Sequence, residues 1–256
     1  MARRMIVAAS AVLLLLASAP ARSEAGGGIT VEPPLVKIGL FYGGQEVAVR
    51  AAVPEGSDVA VRVSGHGHDL TLKRKGKRGG ILWMNVGEVT YAGVPSLFIV
   101  RSSRPLESMG SHEVLASLGL GYRALESRVV APGDEPSRAH FGEMVELKEK
   151  ERLFGVESGD VEFSSLGQGF QEASVSFVLP PKVLPGEYEV DVFAFHDGTG
   201  RLLGTGTLEV AFSPATAFLS NMARHHGLLY GCLAAVVAIL AGLATGWLFG
   251  GKGGAH

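Results

Sequence analysis

The stretch EVAVRAAVPEGSDVAVRVSG, Glu46–Gly65, decides the fold class. Val47, Val49, Ala51 and Val53 alternate with Glu46 and Arg50, and Val59, Val61 and Val63 then alternate with Arg62. Successive side chains of a strand point to opposite faces, so an apolar residue at every second position marks a half-buried strand. Pro54, Glu55, Gly56 and Ser57 between the two runs have the composition of a turn. Two such strands joined tightly are the start of an antiparallel β structure.

Outward from this pair the same pattern continues. DLTLKRK (69–75), GILWMNV (80–86) and PSLFIVRS (95–102) read as further strands separated by Pro and Gly breaks. From Val161 onward EASVSFVLPP (172–181) and LPGEYEVDVFAFHDGTGRLLGTGTLEVAF (184–212) return to alternation, with HDGTG as a hairpin. Short strands at this spacing predict an immunoglobulin-like antiparallel β-sandwich. The middle of the chain interrupts it. SHEVLASLGLGYRALES (111–127) carries Val114, Leu118, Tyr122 and Leu125 at helical spacing, against Gly119 and Gly121. The next segment predicts a helix with Asp134 as N-cap and Pro136 in its first turn. Phe141, Met144, Val145 and Leu147 form its apolar stripe, Glu146 stands four before Lys150, and Gly155 is the stop.

The two ends place this domain relative to a membrane. MARRMIVAASAVLLLLASAPARS has Arg3 and Arg4, an apolar run from Met5 to Ala17, and Ala19 and Ala21 in the A-x-A relation, the pattern of a cleaved secretory signal. LLYGCLAAVVAILAGLATGWLFGG, Leu228–Gly251, contains no charge. As a helix it spans roughly 35 Å, enough to cross a hydrocarbon core. Tyr230 and Trp247 lie near its ends, where amphipathic rings favour the interface. The expected organisation is a signal peptide at 1–21, a first β region at 22–106, a helical segment at 107–155 and a second β region at 156–213. A juxtamembrane linker at 214–227, a membrane helix at 228–250 and a cytoplasmic tail at 251–256 complete it. Export of everything after the signal makes the domain periplasmic and the protein a single-pass component of the inner membrane.

Composition narrows the function classes. The chain holds 23 Lys+Arg against 25 Asp+Glu. Loss of Arg3 and Arg4 with the signal leaves a more acidic mature form, which does not suggest nucleic acid. The single cysteine, Cys232, lies in the membrane helix, so the exported domain has neither disulfide nor thiol nucleophile. No G-x-S-x-G, H-E-x-x-H, Walker or dinucleotide motif occurs, and LGLGY and LGQGF lack the strand-to-helix setting that cradles phosphate. Glu143, Glu146, Glu149 and Glu151 read as a solvated helix face. No catalytic residue and no cofactor is expected.

Three features carry binding chemistry. The helix repeats small residues every fourth position, Ala234, Ala238, Gly242, Gly246 and Gly250, which lets another helix approach closely in lipid. The run Lys73, Arg74, Lys75, Lys77, Arg78 reads as a solvated hairpin tip turned by Gly76, Gly79 and Gly80, or as a contact for an anion or acidic partner. His66 and His68, alternating beside Asp69, are weak metal candidates without an adjacent third ligand; His112, His140 and His196 are distant ones. Gly65 and Gly67 around them read as a flexible turn. His225 and His226 read as interfacial residues.

RKGKRGGILWMN (74–85), GVPSLFIVRSSRPL (93–106), ELKEKERLFGV (146–156), LPPKVLPGEYEVDVFAFHDG (179–198) and the LLYG and GW of the last helix, in this order, resemble a family of uncharacterised bacterial transmembrane proteins known mainly from alphaproteobacteria. The resemblance covers nearly the whole mature chain. It implies an exported β-rich domain on one C-terminal membrane helix. It also implies genes sometimes neighbouring a permease of the sulfite and organosulfonate exporter type, and no catalytic residues. The reading is a non-enzymatic membrane protein whose β domain is a binding or assembly module. Its helix docks on a permease or on a second copy; the alternative is a tethered binder of an anion or metal.

Overall fold

The computed structural model describes residues 28–78, 82–131 and 134–249. The stretches read as a signal and as a tail, and Gly250, lie outside them. Strands β1 (Ile29–Glu32) and β2 (Leu35–Ile38) open the domain, followed by β3 (Gln45–Pro54) and β4 (Asp58–Gly65), the pair of the deciding stretch. Next come β5 (Gly67–Arg78), β6 (Leu82–Pro95) and β7 (Phe98–Ser102). Five short helices form the interruption: α1 (Leu106–Met109), α2 (His112–Ser117), α3 (Tyr122–Val129), α4 (Glu135–Ala139) and α5 (Phe141–Lys150). Strands β8 (Phe154–Ser158), β9 (Val161–Gly167), β10 (Phe170–Leu179), β11 (Gly186–His196) and β12 (Thr199–Phe212) then lead into helices α6 (Pro214–His225) and α7 (Gly227–Phe249).

The strands form a four-stranded sheet ordered β1-β3-β10-β9, a six-stranded sheet ordered β2-β12-β11-β4-β7-β8, and the separate ribbon β5-β6. The inner faces of both large sheets feed one core. Val47, Val49 and Val53 of β3 and Val175 and Phe177 of β10 belong to the same buried cluster as Val59, Val61 and Val63 of β4 and Val190 and Val192 of β11.

The expectation of an antiparallel structure holds for the first sheet, but the second is mixed. β2 pairs with β12, and β7 with β8, in parallel. Pro33 and Pro34 bring no amide donors to a ladder, so the chain leaves β3 after β1 and reaches the other sheet. The second parallel pair follows from the helices. A parallel neighbour needs a long crossover, and α1–α5 lie between β7 and β8. DLTLKRK and GILWMNV also depart from expectation, because they pair with each other in the ribbon rather than in either large sheet.

The helical segment differs in detail. The periodic stretch 111–127 is two helices, capped at the start by the Ser111 side chain, which accepts from the Val114 amide. Gly119 and Gly121 sit between them at φ 68° and 83°, and this turn replaces the continuous helix that the spacing suggests. The following helix is broken at His140, and Asp134 caps its first piece by accepting from the Ser137 amide. It ends before Gly155. Arg152 takes the left-handed conformation at φ 59°, and Gly155 is already in β8. Leu147 is exposed, whereas Lys148 completes the buried face with Phe141, Met144 and Val145.

Candidate functional site

Helix α7 is 23 residues long, and Gly227–Trp247 is long and apolar enough to cross a bilayer, with none of its residues buried against the domain. Ala234, Ala238, Gly242 and Gly246 follow one another at about 6 Å steps along the axis. A Cβ added to Gly242 or Gly246 would meet nothing within 4 Å. The row is therefore a bare groove between exposed flanks that include Leu243 and Ile239. The hydroxyl of Thr245 donates back to the Ala241 carbonyl, which satisfies it within the helix. Gly250, the last member of the row, lies outside the described residues.

The basic run occupies the distal half of β5. Gly76 pairs with Met84 inside the ladder, so it is a strand residue and not part of the turn as expected; Gly79 and Gly80 lie outside the described residues. Lys73 stands 4.0 Å from Glu88, with both side chains more than half exposed, a pair of little energetic weight. For Arg74, Lys75, Lys77 and Arg78 the backbone alone is described. A cleft of about 560 Å³ separates the ribbon from α5, between Lys73 and Tyr91 on one side and His140, Glu143 and Glu146 on the other. Its mixture of signs favours no free anion. His140 is already 3.2 Å from Glu143.

His66 is the single residue between β4 and β5, against Gly186. His68 pairs with Val94 in the ribbon ladder. Its Nδ1 is buried without a hydrogen-bond partner. Burial, then the neighbouring Lys148 and His66, hold the imidazole below its ordinary pKa, with Asp69 pulling the other way. The Oδ1 of Asp69 accepts from the Gly93 amide at 3.1 Å where the ladder is irregular. Among the described residues no group of three or more His, Cys, Asp and Glu is arranged to hold a metal. His112 opens α2, and His196 pairs with its neighbour Asp197 at 3.4 Å. Gly65 and Gly67 belong to strands rather than to a flexible turn.

The most connected polar cluster was not legible as one. Arg62, read as solvent-facing by alternation, lies under the helical segment. Its Nη2 and Nε donate to Asp191 at 2.7 and 3.2 Å, and its Nη1 donates to the Leu118 and Gly119 carbonyls at 2.7 and 3.0 Å. Thr205 donates to the other Asp191 oxygen at 2.6 Å, and the guanidinium also lies 5.4 Å from the centre of the Phe193 ring. The side chains are 16% and 6% exposed. The signal was present in EYEVDVFAF, where parity puts Asp191 beside Phe193 and Phe195 on the face away from Val190 and Val192. What covers that face depends on how the helices fold back, which no local pattern states. Through these hydrogen bonds the cluster fastens the α2–α3 turn to the sheet.

No curated protein matches this chain. The family model described as "Putative transmembrane protein (Alph_Pro_TM)" matches residues 28–250, spanning both sheets, the helical segment and the apolar helix. The chain belongs to that transmembrane family.

Proposed function

We propose that this is a non-enzymatic, single-pass inner-membrane protein whose periplasmic β domain is a binding or assembly module. Its membrane helix docks on another integral membrane protein, a permease of the sulfite and organosulfonate exporter type being the partner to test. The strand orders β1-β3-β10-β9 and β2-β12-β11-β4-β7-β8 support an immunoglobulin-like sandwich as the fold of that module. Orientation follows from the N-terminal signal, which exports the domain and leaves a short cytoplasmic tail.

The observation that carries the reading is the contrast between the two halves of the molecule. The domain's buried ion pair, Arg62–Asp191, is satisfied internally, whereas α7 presents a groove of small residues along an exposed surface. In lipid such a groove gains van der Waals contact when a second helix lies in it. The test is recovery of partners from native membranes in mild detergent by tagged wild-type protein and by the double variant Gly242→Leu/Gly246→Leu. A permease recovered with wild type and lost with the variant supports the accessory role. A second tagged copy recovered in its place assigns the groove to a self-dimer. Identical recovery by both proteins removes the groove from the function.

A further inference from the structure

The loop between β2 and β3, Gly39-Leu40-Phe41-Tyr42-Gly43-Gly44, exposes two large apolar side chains without cover: Leu40 is 59% and Phe41 99% exposed. Its place in the fold gives it an occupant. β2 runs parallel to β12, with Ile38 opposite Phe212, and the Ser213 amide donates to the Ile38 carbonyl at 2.8 Å. The loop therefore leaves the domain at the point where the chain leaves it for α6 and α7. The loop is also seated and not merely trailing, because the Tyr42 hydroxyl reaches the Leu179 carbonyl and Gly44 packs against the same oxygen. Val178 and Leu184, both exposed, flank this pole on β10 and on the connection to β11.

We infer that this pole rests on the bilayer, with Leu40 and Phe41 inserted among the lipid headgroups beside an α6 that lies along the membrane surface. The inference rests on α7 as the membrane span. Length sets the geometry. α6 has 12 residues, about 18 Å of helix, and standing along the membrane normal it would hold the loop out of reach. The junction permits the other arrangement, because His226 at φ −134° and ψ 52° breaks the helical path between α6 and α7. α6 suits the surface: Ala215, Phe218, Leu219 and Met222 share one side at spacings of three and four, and Asn221 and Arg224 lie on the other. Phe218 is 62% exposed and unclaimed by the domain.

Site-directed spin labels on the full chain, with Cys232→Ala, in nanodiscs of phosphatidylethanolamine and phosphatidylglycerol test this. Single cysteines replace Phe41, Phe218, Ile239 and Leu166, and each label's collision rate with oxygen is compared with that of a water-soluble nickel reagent. Leu166 is the aqueous reference: it lies near the turn whose Gly169 carbonyl accepts from Glu55, at the far end of the 10-residue β3, roughly 30 Å from Phe41. The expected result is oxygen-dominated collision at 239, an interfacial balance at 41 and 218, and nickel-dominated collision at 166. A label at 41 as aqueous as that at 166, with 239 in lipid, overturns the proposal while leaving the span intact. An aqueous label at 239 overturns the span itself. Phe41→Asp, at a site the fold does not use, should leave melting unchanged and move a label at 218 toward water; an unmoved label there separates the loop from α6 and overturns their joint seating.

Discussion

Replacing Asp191 with Ala tests the claim that one buried pair fastens the helical segment to the sheet. The substitution removes the acceptor for two Arg62 donors and for the Thr205 hydroxyl, while Arg62 stays held at Leu118 and Gly119 in a site 16% exposed. Breaking a buried ion pair from one side costs about 3–5 kcal/mol, because a charge is left desolvated and uncompensated. The partial exposure of Arg62 puts this case near the lower end, about 3 kcal/mol. For a domain of this size each kcal/mol moves the midpoint by about 2–4 °C, so melting of the full chain in detergent should fall by roughly 6–12 °C. The loss should have a location. The α2–α3 turn is released first, so limited trypsin digestion of the variant should cleave at Arg123 and Arg128 earlier than wild type. Asp191→Asn, which keeps an acceptor for Thr205, should fall between the two. Melting within about 1 °C of wild type, with an unchanged cleavage pattern, would refute the assignment.

Gly119→Val should destabilise through the same cluster, since φ is +68° and a Cβ there would come within 2.3 Å of the Arg62 guanidinium; thermal melting should show a loss that shrinks in an Arg62→Ala background. The Asp58 carboxyl is held below its usual pKa chiefly by the hydrogen bond from Arg104. Its stabilisation is therefore present above the unfolded carboxylate pKa of about 4 and lost as pH falls through the lower folded value. Asp58→Asn should lower the midpoint at pH 7 and converge with wild type in acid. His68 titrates below its ordinary value, so the fold resists its protonation and stability falls as pH drops from about 6.5 toward the folded pKa. His68→Gln should flatten the melting profile across that window. Lys148→Met removes a cation from a residue 8% exposed and should shift the His68 transition in an NMR titration to higher pH without lowering the melting midpoint.

What the sequence disclosed divides by range of interaction. β3 and β4 were legible because burial on one face imposes alternation over 10 and 8 residues, and the same alternation marked β10–β12. The membrane helix was legible because length and absence of charge are local properties. The juxtamembrane segment read as a linker contains the helix α6, capped by Ser213 and opened by Pro214. The mixed sheet, the separate ribbon and the Arg62 cluster all depend on contacts between residues far apart in sequence. Arg62 and Arg50 look equivalent as outward residues of alternating strands. Yet Arg50 meets exposed Glu32 at 2.6 Å, while Arg62 is covered by a segment that begins more than forty residues later.

That difference also restricts where a partner can touch the domain. The outer face of the six-stranded sheet is partly spent on the helical segment: Ala60, Asp191, Phe193 and Phe195 are buried beneath or beside it. The outer face of the four-stranded sheet is open; its centre is small or polar, with Ala48, Ala52, Ser174 and Ser176 around the Arg50–Glu32 pair, and exposed Phe170 and Val178 stand at the two ends of β10. Beyond it, β9 is an edge strand exposed along nearly its whole length, with Phe163 and Leu166 uncovered and a single charge, Glu162, to discourage pairing. The ribbon carries the basic run in its β5 strand and lies next to α5. A partner bound through the α7 groove would thus meet a domain whose pole is set against the lipid. Among the described residues, the four-stranded face, its β9 edge and the ribbon are surfaces open to it from the side. Substitutions that impair assembly without impairing folding should fall on those surfaces and on α7, and a scan that instead concentrated them over α2 and α3 would contradict this division of the surface.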